Sequence, residues 1–177
     1  MESPAEGFFR AKREEAPAIA RFVNEAYRGE ASKKGWTTES DLLGGQRTDE
    51  REVSALIASP ASMILCCCDR EGLLGTIHIL LCAGTAQFGM LAVRPSMQGK
   101  GTGKRLLREA EKVAVSIRGT KRAEMAVLTF RLELISFYER LGYARTGRFR
   151  DFPEDPRFGV PKVAGLRFEF LEKVLTA

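Results

Sequence analysis

The sequence predicts a three-layer α/β domain with a mixed central sheet and helices on both faces. Three observations carry that reading. Short apolar runs separated by turn residues crowd between Met63 and Val93, as in an antiparallel meander. A long amphipathic segment, Gly101 to Arg118, follows directly, and a strand and a shorter helix come after it. The chain of 177 residues suits one domain over its whole length, 1–177, with a sizeable core.

Taken in order, Gly7 to Ala11 reads as a short strand and Glu14 to Tyr27 as a helix. Ile19, Phe22, Val23, Ala26 and Tyr27 form the apolar stripe of that helix, and Pro17 is tolerated because it falls in the first turn. Arg28 to Arg47, with Gly29, Gly35, Trp36, Gly44 and Gly45, has no clear period and reads as a loop. A second helix spans about Glu50 to Ser59 with Val53, Leu56 and Ile57 inward. Pro60 stops it, and Asp49 and Glu52 have capping-box spacing.

Met63 to Cys68 and Leu73 to Cys82 flank the turn Asp69-Arg-Glu-Gly72 as a hairpin, and Gly84 divides the second strand from a third that reaches Val93. The Gly101 to Arg118 helix turns Leu106, Leu107, Ala110, Val113, Ala114 and Ile117 to one side, so it lies on the sheet, and Gly119 ends it. A strand around Glu124 and a helix around Tyr138 precede an irregular strand from Tyr143 to Phe152. A mobile loop holding Pro153, Pro156 and Pro161 and a last strand from Ala164 to Leu175 complete the chain.

The most specific chemistry lies in Met90-Leu-Ala-Val93-Arg-Pro95-Ser-Met-Gln98-Gly-Lys-Gly101-Thr-Gly103-Lys-Arg, a strand running through a glycine-rich turn into a helix. A helix start presents unpaired N–H groups and the positive end of the helix dipole, both of which attract an anion. Gly99, Gly101 and Gly103 clear side chains from that position and allow positive φ, while Lys100, Lys104, Arg105 and Arg108 add charge. The P-loop pattern fails, since it needs Gly at Gln98 and Ser or Thr at Arg105. The dinucleotide pattern fails because its third glycine would fall on Lys104 or Leu106. A tight strand-to-helix connection is the alternative explanation of the glycines.

A second motif, Phe137-Tyr138-Glu-Arg140-Leu-Gly142-Tyr143, lies on the short helix. Leu134, Tyr138 and Leu141 share an apolar face and Gly142 follows the last turn. Alone it reads as core packing. With Gln98-x-x-Gly101-x-Gly103 upstream, order and spacing together resemble the GCN5-related N-acetyltransferases (GNAT), across nearly the whole chain.

That resemblance implies the three-layer acyl-CoA N-acyltransferase fold and an acetyl-CoA-dependent transfer to a primary amine of a small molecule or protein, by direct attack of the amine on the thioester. The implied cofactor contacts are backbone groups of Leu91, Ala92 and Val93 for the pantetheine arm and the turn Gln98, Gly99, Lys100, Gly101, Thr102, Gly103 and Lys104 for the pyrophosphate. Phe137 and Arg140 join them. Arg105, Arg148 and Arg150 come from segments on the same side. Tyr138 is the implied general acid for the departing thiolate. Where the family often has Asn at the start of this helix, six residues before the Phe, this chain has Arg131, which puts the local pantetheine contacts in doubt and suggests a reach toward a phosphate.

Glu124, Glu133, Glu39, Glu169 and Gln87 are the candidates for a base, with a water relay as the alternative. Tyr27, Trp36 and Glu39 are the candidates for acceptor binding, and a glutamate there favours a cationic amine. The alternatives are another acyl-CoA or a hydroxyl acceptor, or a non-catalytic acyl-CoA-binding regulatory module.

Composition narrows the remaining classes. The formal charge of +5 comes from 28 basic residues interspersed with 23 acidic ones, without the arginine-aromatic interleaving of a nucleic-acid surface. No apolar run approaches the roughly eighteen residues needed to span a bilayer, and Met1 to Glu6 lack signal-peptide character, so a cytoplasmic protein without a membrane partner is expected. Cys66, Cys67, Cys68 and Cys82 form no disulfide or zinc pattern, and His78 is the single histidine. No metal is expected, a catalytic thiol is weakly supported, and a homodimer is allowed for.

Overall fold

A computed structural model describes residues 7–176, with the side chains of Ile117 and Arg118 outside the described set. The expected stripe position Ile117 and the segment Met1 to Glu6 therefore lie outside the described residues. The strands are β1 (Gly7–Arg10), β2 (Leu43–Gly44), β3 (Ser62–Asp69), β4 (Gly72–Cys82), β5 (Thr85–Val93), β6 (Arg122–Leu128), β7 (Ala144–Asp151), β8 (Val160–Pro161) and β9 (Arg167–Val174). The α-helices are α1 (Ala16–Tyr27), α2 (Glu50–Ala58), α3 (Thr102–Arg118) and α4 (Leu132–Arg140).

Seven strands form one sheet in the order β1-β3-β4-β5-β6-β9-β7, with β5 and β6 parallel and every other pair antiparallel. Helices cover both faces, as expected. On one face α1 and α2 bury Ile19, Val23 and Val53 against Ile64, Cys66, Met90 and Ala92. On the other, α3 and α4 bury Leu106, Leu107, Ala110 and Ile135 against Leu65, Ile77, Ile79, Phe88 and Met125. Each buried leucine or isoleucine contributes about 1.5–3 kcal/mol, so α3 is held to the sheet by its apolar stripe. Gly119 ends α3 in the left-handed region at φ 59°.

Three local features differ from the sequence reading. Only half of the capping box forms: the Asp49 carboxylate accepts from the Glu52 N–H at 2.8 Å, but the Glu52 carboxylate accepts from the Thr48 hydroxyl instead. On α4, Ile135 joins Tyr138 in the core while Leu134 and Leu141 are only partly buried, since the helix meets the sheet along its Ile135–Tyr138 edge. The proline-rich loop is pinned: β8 pairs with β2, and Lys162 donates its backbone N–H to Leu42 O and its ammonium to Ser40 O.

The sheet opens at β5 and β6. Their ladder pairs Thr85–Phe88 with Arg122–Met125 and stops there, whereas β6 stays paired with β9 through Leu128. Just beyond the last rung, Met90 takes φ 45° and two residues of β5 oppose one of β4, a β-bulge. The extra residue flips the alternation of side chains: Ala86 and Phe88 pack toward α3, but Met90 and Ala92 pack toward α1.

Candidate active site

The gap between the parted halves of β5 and β6 is a cavity of about 380 Å³, lined on its two sides by Gly89–Leu91 and Ala126–Leu128. A second groove of about 340 Å³ runs over the start of α3 between Gln98, Gly99, Gly101, Gly103 and Lys104 on one side and Phe137 and Arg140 on the other. Leu91 and Leu134 line both, so the two spaces meet at the bulge.

The glycine turn forms the floor of the groove. Gly99 and Gly101 have φ of 75° and 85°, a region L-residues with side chains rarely occupy, and a Cβ built on either meets nothing within 4 Å. Conformation, not space, requires glycine at both. Gly103 departs from the expectation of positive φ: it sits in the first turn of α3, and a Cβ there would lie 3.6 Å from Val93 Cγ2 and 3.8 Å from Phe137 Cζ, on the groove wall. Thr102 is buried at the first position of the helix. The α3 N–H groups and the turn thus face the groove with the positive end of the helix dipole and no acidic residue in the first turn.

Gln98 acts as a strut. Its side-chain amide donates to Val93 O at 3.2 Å and its Oε1 accepts the Thr37 N–H at 3.2 Å, tying the turn to β5 and to the Arg28–Arg47 loop. Lys104 and Arg140 line the groove, while the Lys100 ammonium lies 3.5 Å from Met97 Sδ. Arg105 lies over the Phe8 ring, Arg148 pairs with Glu124, and Arg150 lines the wider cavity. Trp36 packs edge-on against Phe137, with ring centroids 5.8 Å apart, and lines the glycine groove rather than the wider cavity.

Tyr138 is buried beneath Phe137, in edge contact at 5.2 Å, and lines the cavity between β5 and β6. Burial raises its phenol well above the ordinary value, with Tyr27 adding to the rise and Arg131 opposing it, so the hydroxyl keeps its proton. Among the described residues no group hydrogen-bonds that hydroxyl. The Tyr27 hydroxyl donates to Leu91 O at 3.1 Å, fastening α1 to the bulge.

One feature of the cavity wall has no signal in the sequence. Glu39 is buried and its carboxylate accepts from Arg28 Nε at 3.2 Å and from Arg131 Nη1 at 3.1 Å, two arginines that are equally buried. Arg131 Nη2 also donates to the Thr37 hydroxyl at 2.8 Å, which in turn donates to Glu133. Arg131 therefore joins the start of α4 to the Arg28–Arg47 loop and does not reach toward a phosphate. The other base candidates are likewise engaged: Glu124 by Arg148 and Glu169 by Arg145 at 2.6 Å. Gln87 is exposed on β5, opposite Glu124 in the ladder. Cys66, Cys67 and Cys68 are buried in β3 with their thiols raised by desolvation, a poor setting for a nucleophile.

Residues 60–145, from the turn before β3 to the start of β7, match the Acetyltransferase (GNAT) domain family. Over that segment the chain is similar to GNAT acetyltransferases. Solved structures share the fold over nearly the full length of both chains. The ribosomal-protein-S18-alanine N-acetyltransferase of Escherichia coli is 14% identical with TM-score 0.69, covering 96% of this chain and 94% of that one. A GNAT-family acetyltransferase of Staphylococcus aureus is 14% identical with TM-score 0.68, covering 97% and 100%. A chimeric spermidine N-acetyltransferase from Vibrio cholerae is 16% identical with TM-score 0.67, covering 95% and 94%. No curated protein sequence matches the chain.

The GNAT family uses acetyl-CoA as co-substrate, and the glycine groove fits such a group on its own geometry: positive-φ glycines, a helix start and flanking Lys104 and Arg140. Among the described residues no cluster of His, Cys, Asp and Glu could hold a metal ion, and no helix is long and apolar enough to cross a membrane.

Proposed function

We propose that this protein transfers the acetyl group of acetyl-CoA to the amine of a small molecule or protein by direct attack. The carrying observation is that the glycine groove and the β5–β6 cavity meet at the Leu91 bulge, so donor and acceptor reach one point from opposite sides. Bound acetyl-CoA supplies an activated thioester. The α3 start and the Gly99–Gly101 turn bind its pyrophosphate, with Lys104 and Arg140 adding charge, and the β5 backbone from Leu91 to Val93 orients the pantetheine arm. Trp36 belongs in this reading to the donor side, closing the groove with Phe137.

At the junction the new N–C bond forms as the C–S bond breaks. Tyr138 holds its proton at Oη and donates it to the departing sulfur, and its phenolate then regains one from the nitrogen. Of the candidate carboxylates, Glu39, Glu124 and Glu169 are each bound by arginine. The acceptor amine instead loses its first proton to water, and the arginines of the cavity favour its neutral form. Acceptors of the structural neighbours range from a protein alanine to spermidine by name, and amine acetylation is what they share.

The test is to incubate the protein with acetyl-CoA and a broad amine panel while following thiol release. Acetyl-CoA at a hundred times its dissociation constant stabilises a fold by about 2.7 kcal/mol, so a thermal shift is expected with it alone. Tyr138→Phe should lower kcat on the order of a hundred-fold with that thermal shift preserved. Equal turnover by this variant at every pH would remove the acid role, and absence of both shift and thiol release would overturn the function.

A further inference from the structure

The acceptor cavity is unusually cationic for a site that takes an amine. Four arginines line it, Arg28, Arg47, Arg131 and Arg150, against two glutamates, Glu39 and Glu52. Glu39 is consumed by Arg28 and Arg131, and Glu52 lies in the first turn of α2, accepting from Thr48. Arg47 and Arg150 have no carboxylate partner among the described residues.

Arg47 is half-buried and its guanidinium lies 5.6 Å from the centre of the Tyr27 ring, while that of Arg131 lies 5.7 Å from the same ring. Two like charges sharing one aromatic ring in a partly enclosed space repel unless an anion joins them. Arg131 is already committed: Nη1 donates to Glu39, Nη2 to Thr37, and its buried Nε lies 3.9 Å from the Glu133 carboxylate. Arg47, half-buried and without a carboxylate partner among the described residues, is the cation left for an anion to join. Beyond the arginines the wall is apolar: Phe152, Phe158 and Phe168 line the cavity, with Arg150 5.4 Å over the Phe168 ring.

We propose that the acceptor is an amino acid or a small amine bearing a carboxylate and an apolar body. Arg47 binds its carboxylate, and the phenylalanines with Arg150 receive the rest. This specifies the substrate class of the acetyl transfer proposed above and rests on that reading. It reverses the preference for a cationic acceptor that Glu39 suggested in the sequence, because the Glu39 charge is already neutralised within the wall.

The experiment uses matched pairs that differ only in the carboxylate, phenylalanine with phenethylamine and leucine with isoamylamine, together with spermidine, each with acetyl-CoA and thiol detection. The amino acids should be favoured at least ten-fold in kcat/KM, the value of one charge-assisted hydrogen bond or more. Arg47→Gln should collapse that preference by raising KM, Arg47→Lys should keep part of it, and Arg150→Gln should weaken it less. With CoA bound, phenylalanine should raise the melting temperature of the parent and not that of Arg47→Gln. Spermidine or the decarboxylated amines turned over as well as the amino acids, or the absence of any amino-acid thermal shift, would overturn the inference while leaving acetyl transfer standing. Absence of both an acetyl-CoA shift and thiol release with every amine would instead overturn the transfer, and this inference with it.

Discussion

Replacing Glu39 by glutamine removes the carboxylate that two buried arginines share. The side chains of Glu39, Arg28 and Arg131 are only 7%, 6% and 8% exposed, so neither guanidinium can turn to water without moving the loop or α4. Breaking one partner out of a buried ion pair costs about 3–5 kcal/mol, because the remaining charge stays desolvated. For a chain of this size each kcal/mol lowers the melting temperature by roughly 2–4 °C, so Glu39→Gln should lose about 6–20 °C in a thermal melt. The order of variants is more telling than the size. Glu39→Gln leaves two stranded cations, whereas Glu39→Gln with Arg131→Met leaves one, so the double variant should be the more stable of the two. A single variant within about 1 kcal/mol of the parent by urea denaturation, or a double variant less stable than Glu39→Gln, would refute the network as the brace of the cavity wall.

Two further outcomes follow from the backbone and from His78. Gly101→Ala places a Cβ at φ 85° and should cost about 1–2 kcal/mol in stability, with a weaker acetyl-CoA thermal shift because the α3 N–H groups lose their alignment. Burial, with Arg47 adding to it, pushes the His78 imidazolium down to about 4, and its Nε2 lies 2.8 Å from the Ser62 hydroxyl. The folded protein thus holds this histidine neutral where the unfolded chain protonates it, so its contribution is complete above the unfolded value near 6.5 and is lost as pH falls toward 4. That loss is about 3 kcal/mol, and urea titrations across this range should show a slope that His78→Gln flattens.

Much of the fold was legible because its elements announce themselves locally. The Gly101–Arg118 stripe, the Asp69–Gly72 turn and Pro17 in a first turn each depend on neighbours within a few residues, and all appear where expected. The glycine turn was legible as a backbone requirement at Gly99 and Gly101. What escaped depends on residues far apart in sequence. Glu39 and Arg131 are separated by 92 positions, and nothing in either neighbourhood marks them as partners. The β2–β8 pairing joins two-residue strands too short to carry a period. Trp36 was assigned to the acceptor side because its loop walls the cavity, yet its own ring turns to Phe137, and only the path of that loop decides which space it lines.

The bulge at Met90 was invisible for a different reason. Ala86, Phe88, Met90 and Ala92 are all buried, and their spacing of two reads as one face of one regular strand. In the structure the first two serve the α3 core and the last two the α1 core, because a single residue is inserted between them. Both halves of the pattern are apolar, so the inversion leaves no trace in it. A non-glycine residue at φ 45° costs on the order of 1–3 kcal/mol, and a regular strand would avoid that cost by keeping β5 paired with β6. The two strands would then leave no space between Gly89–Leu91 and Ala126–Leu128, and the glycine groove would have no cavity to meet. The strained backbone at Met90 is therefore the local cost of opening the sheet at the point where the two spaces join.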